Sequence, residues 1–121
     1  MRSAIRPRRA KTSNRKNPRE AEAALLLDAA LRLQEVQSRW EESRANVDDA
    51  LHYNHQRWGI FLASICNAKN PLPCEVRHTI ANLGLFVSRE TTAIAADPRP
   101  ERLTALIGIN RDLAAGLLGH A

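Results

Sequence analysis

The chain has 121 residues, 44% of them hydrophobic and 26% charged, the composition of one globular domain rather than of a low-complexity or multidomain chain. Its apolar runs are only a few residues long, far below the roughly 18 needed to span a membrane. Glu20, Glu22 and Asp28 also interrupt the stretch that would have to act as a secretory signal. The net charge of +5 is unevenly spread: of 18 basic side chains, eight fall in residues 1–19 with no acid, while residues 20–121 hold the other 10 against 13 acids.

The strongly basic character is therefore a property of the N-terminal segment and not of a folded nucleic-acid-binding face. Residues 1–16, with Arg6, Arg8, Arg9, Lys11, Arg15 and Lys16, repel one another and bury nothing, which predicts a disordered basic tail. Such a tail can bind RNA by counterion release, without sequence preference. It lacks the interleaved aromatics that strengthen single-strand binding, which favours a plain unstructured extension. The remainder, residues 17–121, reads as one helical domain.

The first helix has a capping-box start, with Asn17 as cap, Pro18 in the first position and Glu20 three residues after the cap. Leu26, Ala29, Ala30, Leu33, Val36 and Trp40 form its apolar stripe, and its end falls between Ser38 and Ala45. A second helix opens at Asn46, with Asp48 and Asp49 in the first turn complementing the dipole. Its stripe is Val47, Leu51, Asn54, Trp58, Phe61, Leu62 and Ile65. Gly59 lies within it, and a close helix–helix approach is the expected compensation for its low propensity. Cys66 to Pro73 is a connector, because Pro71 pushes Asn70 out of helical dihedrals. The third helix runs from about Pro73 to Ala95, with Val76, Ile80, Leu83, Val87 and Ile94 on one face. Leu85 and Phe86 widen that face, which predicts contact on more than one side. Asp97 to Pro100 ends it. The fourth helix carries Leu103, Leu106, Ile107, Asn110, Leu113 and Leu117, and Gly119 can terminate it. No stretch alternates long enough for a strand, so the fold class is all-α, a small bundle of about four helices.

Catalytic chemistry finds little support. Cys66 and Cys74 make neither a CxxC nor a zinc spacing and read as reduced thiols of a cytoplasmic protein. His52 and His55 share a helix face but lack a third ligand, so they read as surface histidines beside the stripe; His78 and His120 are isolated. Asn110, on an apolar stripe, reads as a satisfied polar core residue. Dinucleotide, P-loop, nucleophile-elbow and zincin motifs are missing from the sequence. The expectation is a protein that is not an enzyme, with no cofactor, no metal and no small-molecule substrate.

Several collinear segments resemble the FlaF family of flagellar biosynthesis regulators of alphaproteobacteria. Pro18, Arg19 and Glu20 ahead of an Ala/Leu helix resemble its opening. A Trp-bearing helix with Trp58 leads to the connector Asn70, Pro71, Leu72 and Pro73. Arg77, Ile80, Leu83, Leu85, Phe86 and Val87 match its central pattern, with Arg89 just after. Leu106, Ile107, Ile109, Asn110, Arg111, Gly116 and Leu117 resemble its closing signature. Ala63 and Ser64 depart from it, since the family commonly carries acids near the end of the Trp helix, and Phe86 stands where Trp is frequent. The resemblance implies a regulator that promotes flagellin synthesis and export, with flagellin as partner and an FlbT-like repressor of flagellin mRNA translation as functional opponent. It transfers no catalytic or ligand-binding residue. Trp58, Leu83, Leu85, Phe86 and Val87 are the candidate partner-binding residues, and the tail cations named above are the candidates for RNA contact in the alternative reading.

Deleting residues 1–16 removes only Ile5 among large aliphatic or aromatic side chains, so folding should tolerate it. The expected change in melting temperature is smaller than the about 4–8 °C that corresponds to 1 kcal/mol for a domain of this size, read by thermal denaturation of both forms.

Overall fold

The computed structural model describes residues 18–119. Asn17 with its capping role, the tail cations Arg6, Arg8, Arg9, Lys11, Arg15 and Lys16, and His120 lie outside the described residues. Four helices carry the structure: α1 (Pro18–Ser38), α2 (Val47–Ile65), α3 (Cys74–Ala96) and α4 (Leu103–Leu117). Among the described residues there is no strand.

The boundaries follow local chemistry. At Arg39 the backbone leaves helical space (φ −126°, ψ 46°), and a single turn, Trp40–Ser43, with a 3₁₀ turn, Arg44–Asn46, carries the chain into α2. Pro73 stands just outside α3 rather than in its first position. Its ψ of 148° is extended, while its carbonyl already accepts the Arg77 N–H at 3.0 Å. Another 3₁₀ turn, Pro100–Arg102, leads into α4. At the far end Leu118 N–H reaches Ala114 O and Gly119 N–H reaches Gly116 O. Gly119 has φ +79°, a conformation that a residue without Cβ adopts at no steric cost.

The helices run alternately up and down. Glu22 meets Ser64 and Asp28 meets Tyr53, which sets α1 antiparallel to α2. Leu26 meets Asn110 and Gln37 meets Thr104, which sets α1 antiparallel to α4. Helix α1 is thus the spine, packed by α2 on one side and α4 on the other. Leu26, Leu33, Phe61, Ile65, Leu103 and Leu106 are fully buried between them. Helix α3 leans on α2 and approaches α4 only sparsely. Arg102 ties the far ends of α3 and α4, its guanidinium donating to Ala93 O and Asp97 O.

Two expectations are corrected. Gly59 is exposed, and a Cβ built on it meets nothing within 4 Å, so it marks no close approach. The close approach falls at Gly84, buried in α3, where a Cβ would lie 2.8 Å from Leu62 Cδ1. Nor does α3 bury a second side: Leu85 is 57% exposed and Phe86 43%.

The two glycines should therefore respond oppositely. Gly59→Ala relieves a helix-propensity cost without a clash and is expected to stabilise by about 0.5–1 kcal/mol. Gly84→Val forces Leu62 and the α2–α3 spacing to move and is expected to destabilise by about 1–3 kcal/mol. Urea denaturation of both variants checks the signs.

Candidate protein-binding groove and its supporting networks

The bundle centre is polar at one point. Trp58 Nε1–H donates to Asn110 Oδ1 at 2.9 Å, and Asn110 Nδ2 donates to Leu26 O at 3.1 Å and to Asn54 Oδ1 at 2.8 Å. Both asparagines are fully buried and Trp58 is 3% exposed. An indole can only donate, so the orientation of the Asn110 amide follows from its neighbours. Asn54 Nδ2 is buried without a hydrogen-bond partner among the described residues. Trp58 also meets Phe61 edge-on, with ring centroids 5.3 Å apart. Asn110 thus occupies the place its stripe predicts, bonded to three groups.

A second network closes the lower end of α1. The Glu22 side chain is 3% exposed; Arg19 Nε lies 3.2 Å from its Oε1, and Arg19 Nη2 donates to its Oε2 at 3.2 Å. Ser64 Oγ donates to the same Oε2 at 2.7 Å and Asn70 Nδ2 at 3.3 Å. Asn70 also donates to Ser64 O at 2.9 Å and accepts the Leu72 N–H at 3.0 Å, which pins the connector across the end of the bundle. Arg19 therefore belongs to the folded body, although its charge adjoins the basic segment.

Beside this network, α3 and α4 part. The gap is an open groove of about 550 Å³ whose apolar lining is Leu72, Val76, Ile80, Leu83, Leu113 and Leu117, with Arg19 and Glu75 as its charged residues. Val76 is 41% exposed. The five residues singled out from the sequence do not form one surface. Trp58 and Val87 are buried in the core, Leu83 lines the groove, and Leu85 and Phe86 stand exposed on α3. Trp58 and Val87 consequently offer no surface to a partner in this conformation. Their role here is to hold the helices that form the walls.

On the α1–α2 surface the Tyr53 hydroxyl donates to Asp28 and accepts from Arg57 Nη2 at 2.6 Å. The Arg32 and Arg57 guanidinium carbons lie 4.1 and 4.4 Å from its ring centroid. His52 and His55 are exposed, as are Cys66 and Cys74, and no group of three or more metal-ligating side chains occurs among the described residues. No helix there is long and apolar enough to cross a membrane.

These features define a small all-α bundle with an apolar groove on one side and hydrogen-bonded polar groups inside. The family model for flagellar protein FlaF matches residues 8–117, and the chain belongs to that family. No curated protein and no solved structure matches it.

The buried amide should be unusually sensitive. Asn110→Leu keeps the branching at Cγ but adds bulk and strands the Trp58 N–H and Asn54 Oδ1, so a loss of about 2–5 kcal/mol is expected, against about 1–3 for Trp58→Phe, which strands one acceptor. Chemical denaturation with an unchanged m-value is the check.

Proposed function

We propose that the chain is a protein-binding regulator of flagellar biosynthesis, not an enzyme, whose helical body docks flagellin in the cytoplasm and so promotes its synthesis and export against an FlbT-like opponent. The observation that carries this reading is the unfilled apolar groove between α3 and α4. Flagellin's terminal segments are amphipathic, and before assembly their apolar faces lack a packing partner. An amphipathic helix laid in a hydrophobic groove buries both surfaces at once, the mode of helix-in-groove recognition. Leu83 gives the groove its wall, and the exposed Leu85 and Phe86 continue apolar surface along α3. The polar interior supports the reading indirectly, since it holds the walls in fixed register without using the groove residues.

The second reading, RNA-associated control of flagellin mRNA translation, rests on the basic segment at residues 1–16. The two separate by salt, because ionic attraction is screened while apolar docking is not. Purified flagellin is to be titrated with the full chain, with the chain lacking residues 1–16, and with Leu83→Asp, each at low and high salt. Binding should survive high salt and loss of the segment, and should fall at least tenfold in Leu83→Asp at temperatures where that variant is folded, its melting temperature being measured alongside because Leu83 also packs against the core. Binding that disappears with the segment or with salt sinks the groove reading and favours the RNA one.

A further inference from the structure

We infer that α3 is a movable wall: it undocks from α2 and unravels as a unit while α1, α2 and α4 stay folded. The device is a property of this chain alone and holds whatever fills the groove.

Burial is uneven among the four helices. Helix α1 buries seven of its 21 residues, α2 seven of 19 and α4 five of 15. Helix α3 buries four of 23, Ile80, Gly84, Val87 and Ile94, and one of those is a glycine. None of its first six residues, Cys74 to Thr79, is buried. Both polar networks also pass α3 by. The amide network joins Leu26, Asn54, Trp58 and Asn110, and the carboxylate network joins Arg19, Glu22, Ser64 and Asn70. Among the described residues, the hydrogen bonds from α3 to the rest of the chain are long and peripheral. Arg77 Nη1 donates to Asn67 O at 3.4 Å, and Arg102 Nη1 donates to Ala93 O at 3.3 Å. Detaching α3 therefore strands no buried polar group. Detaching α1, α2 or α4 strands a carboxylate, an indole or an amide, each of which is costly to leave unmet.

The local sequence sets the size of the unit. Val76, Ile80, Gly84, Val87, Thr91 and Thr92 are β-branched or glycine, weak helix formers by themselves. Most helical stability in a folded chain comes from packing of the apolar face, so α3 loses its helix when it leaves α2. Pro71 and Pro73 stand before it and Pro98 and Pro100 after it, where helix cannot run through. The unravelling is thus bounded at both ends. Asn70, bonded to Glu22 and to Ser64 O, keeps the start of the connector on the folded body. Opening removes the groove wall formed by Val76, Ile80 and Leu83 and uncovers Leu62, the α2 side chain beneath Gly84. The width of the groove is therefore set by an equilibrium of α3 and not by the α1–α2–α4 centre.

The test is native-state amide hydrogen exchange of the full chain at a series of low urea concentrations, under conditions where exchange follows the opening equilibrium. The slowest amides of α3 are expected to exchange at least about tenfold faster than the slowest of α1, α2 and α4. Their urea dependence should also be weaker, because opening α3 exposes only part of the surface that global unfolding exposes. Trp58→Phe separates the two kinds of opening, since the indole bond it removes joins α2 to α4 and persists while α3 is open. That variant should speed the slowest amides of α1, α2 and α4 by roughly fivefold to a hundredfold and those of α3 far less. Slowest α3 amides that share the rate and urea dependence of the other helices overturn the inference, as does equal acceleration of all four helices in Trp58→Phe. The wild-type urea dependence decides the matter if the variant does not fold.

Discussion

Three helices converge on one amide. Asn110 projects from α4, accepts from Trp58 and donates to Asn54 on α2, and donates to the Leu26 carbonyl of α1. Leucine and alanine stripes alone specify register weakly, because a helix can slide by a turn, about 5.4 Å, and still bury leucine against leucine. Such a slide here would strand an indole N–H, an amide and a carbonyl in an apolar interior, where each unmet group costs about 1–3 kcal/mol. The net gain from the bonds in the native state is modest by comparison. Their main effect is to penalise alternatives, which is how a core poor in large aromatics holds one arrangement.

The Glu22 network does the same work at the end of the bundle by a different chemistry. Burying a carboxylate is costly unless it is paired and hydrogen-bonded, and here it has Arg19, Ser64 and Asn70 around it. Removing one partner leaves the others with an under-satisfied charge, so α1, the end of α2 and the connector are coupled. That coupling fixes where α3 begins, since Asn70 holds the Leu72 N–H one residue before Pro73. From there α3 follows α2, drawn close at Gly84, and only rejoins α4 where Arg102 bonds the end of α3. The groove is the space left between a helix anchored at one end by the connector and at the other by Arg102.

Much of this was legible in the sequence because period and punctuation agreed. The four helices, the buried stripes of α1, α2 and α4, the place of Asn110 and the glycine stop all follow from spacing and residue type. Glu22 was legible too but went unused: it stands four residues before Leu26, on the core stripe, where an acid signals a buried partner set. Its partners were not legible, because Ser64 and Asn70 are more than 40 residues away and are brought together only by the α1–α2 reversal. Gly59 and Gly84 look alike in sequence, and only the crossing point of α2 and α3 separates a surface glycine from a contact one. Leu83, Leu85, Phe86 and Val87 are consecutive enough to cover most of a helix circumference, so spacing could not tell wall, surface and core apart.

The same packing that creates the groove constrains what filling it does. Helix α3 has α2 on one side and, along its first turns, solvent where a neighbour of α4 would stand. A helix bound there would pack α3 on both sides and complete the fourth face of the bundle. Any ligand that binds only the folded form stabilises it, by about 2.7 kcal/mol at a hundredfold excess over Kd. The stabilisation would fall first on α3 and the connector, whose present contacts are fewest, and least on the α1–α2–α4 centre already locked by Asn110. A ligand in the groove would therefore tighten α3, which packs along α2 but meets α4 only sparsely, against a centre whose register Asn110 already fixes.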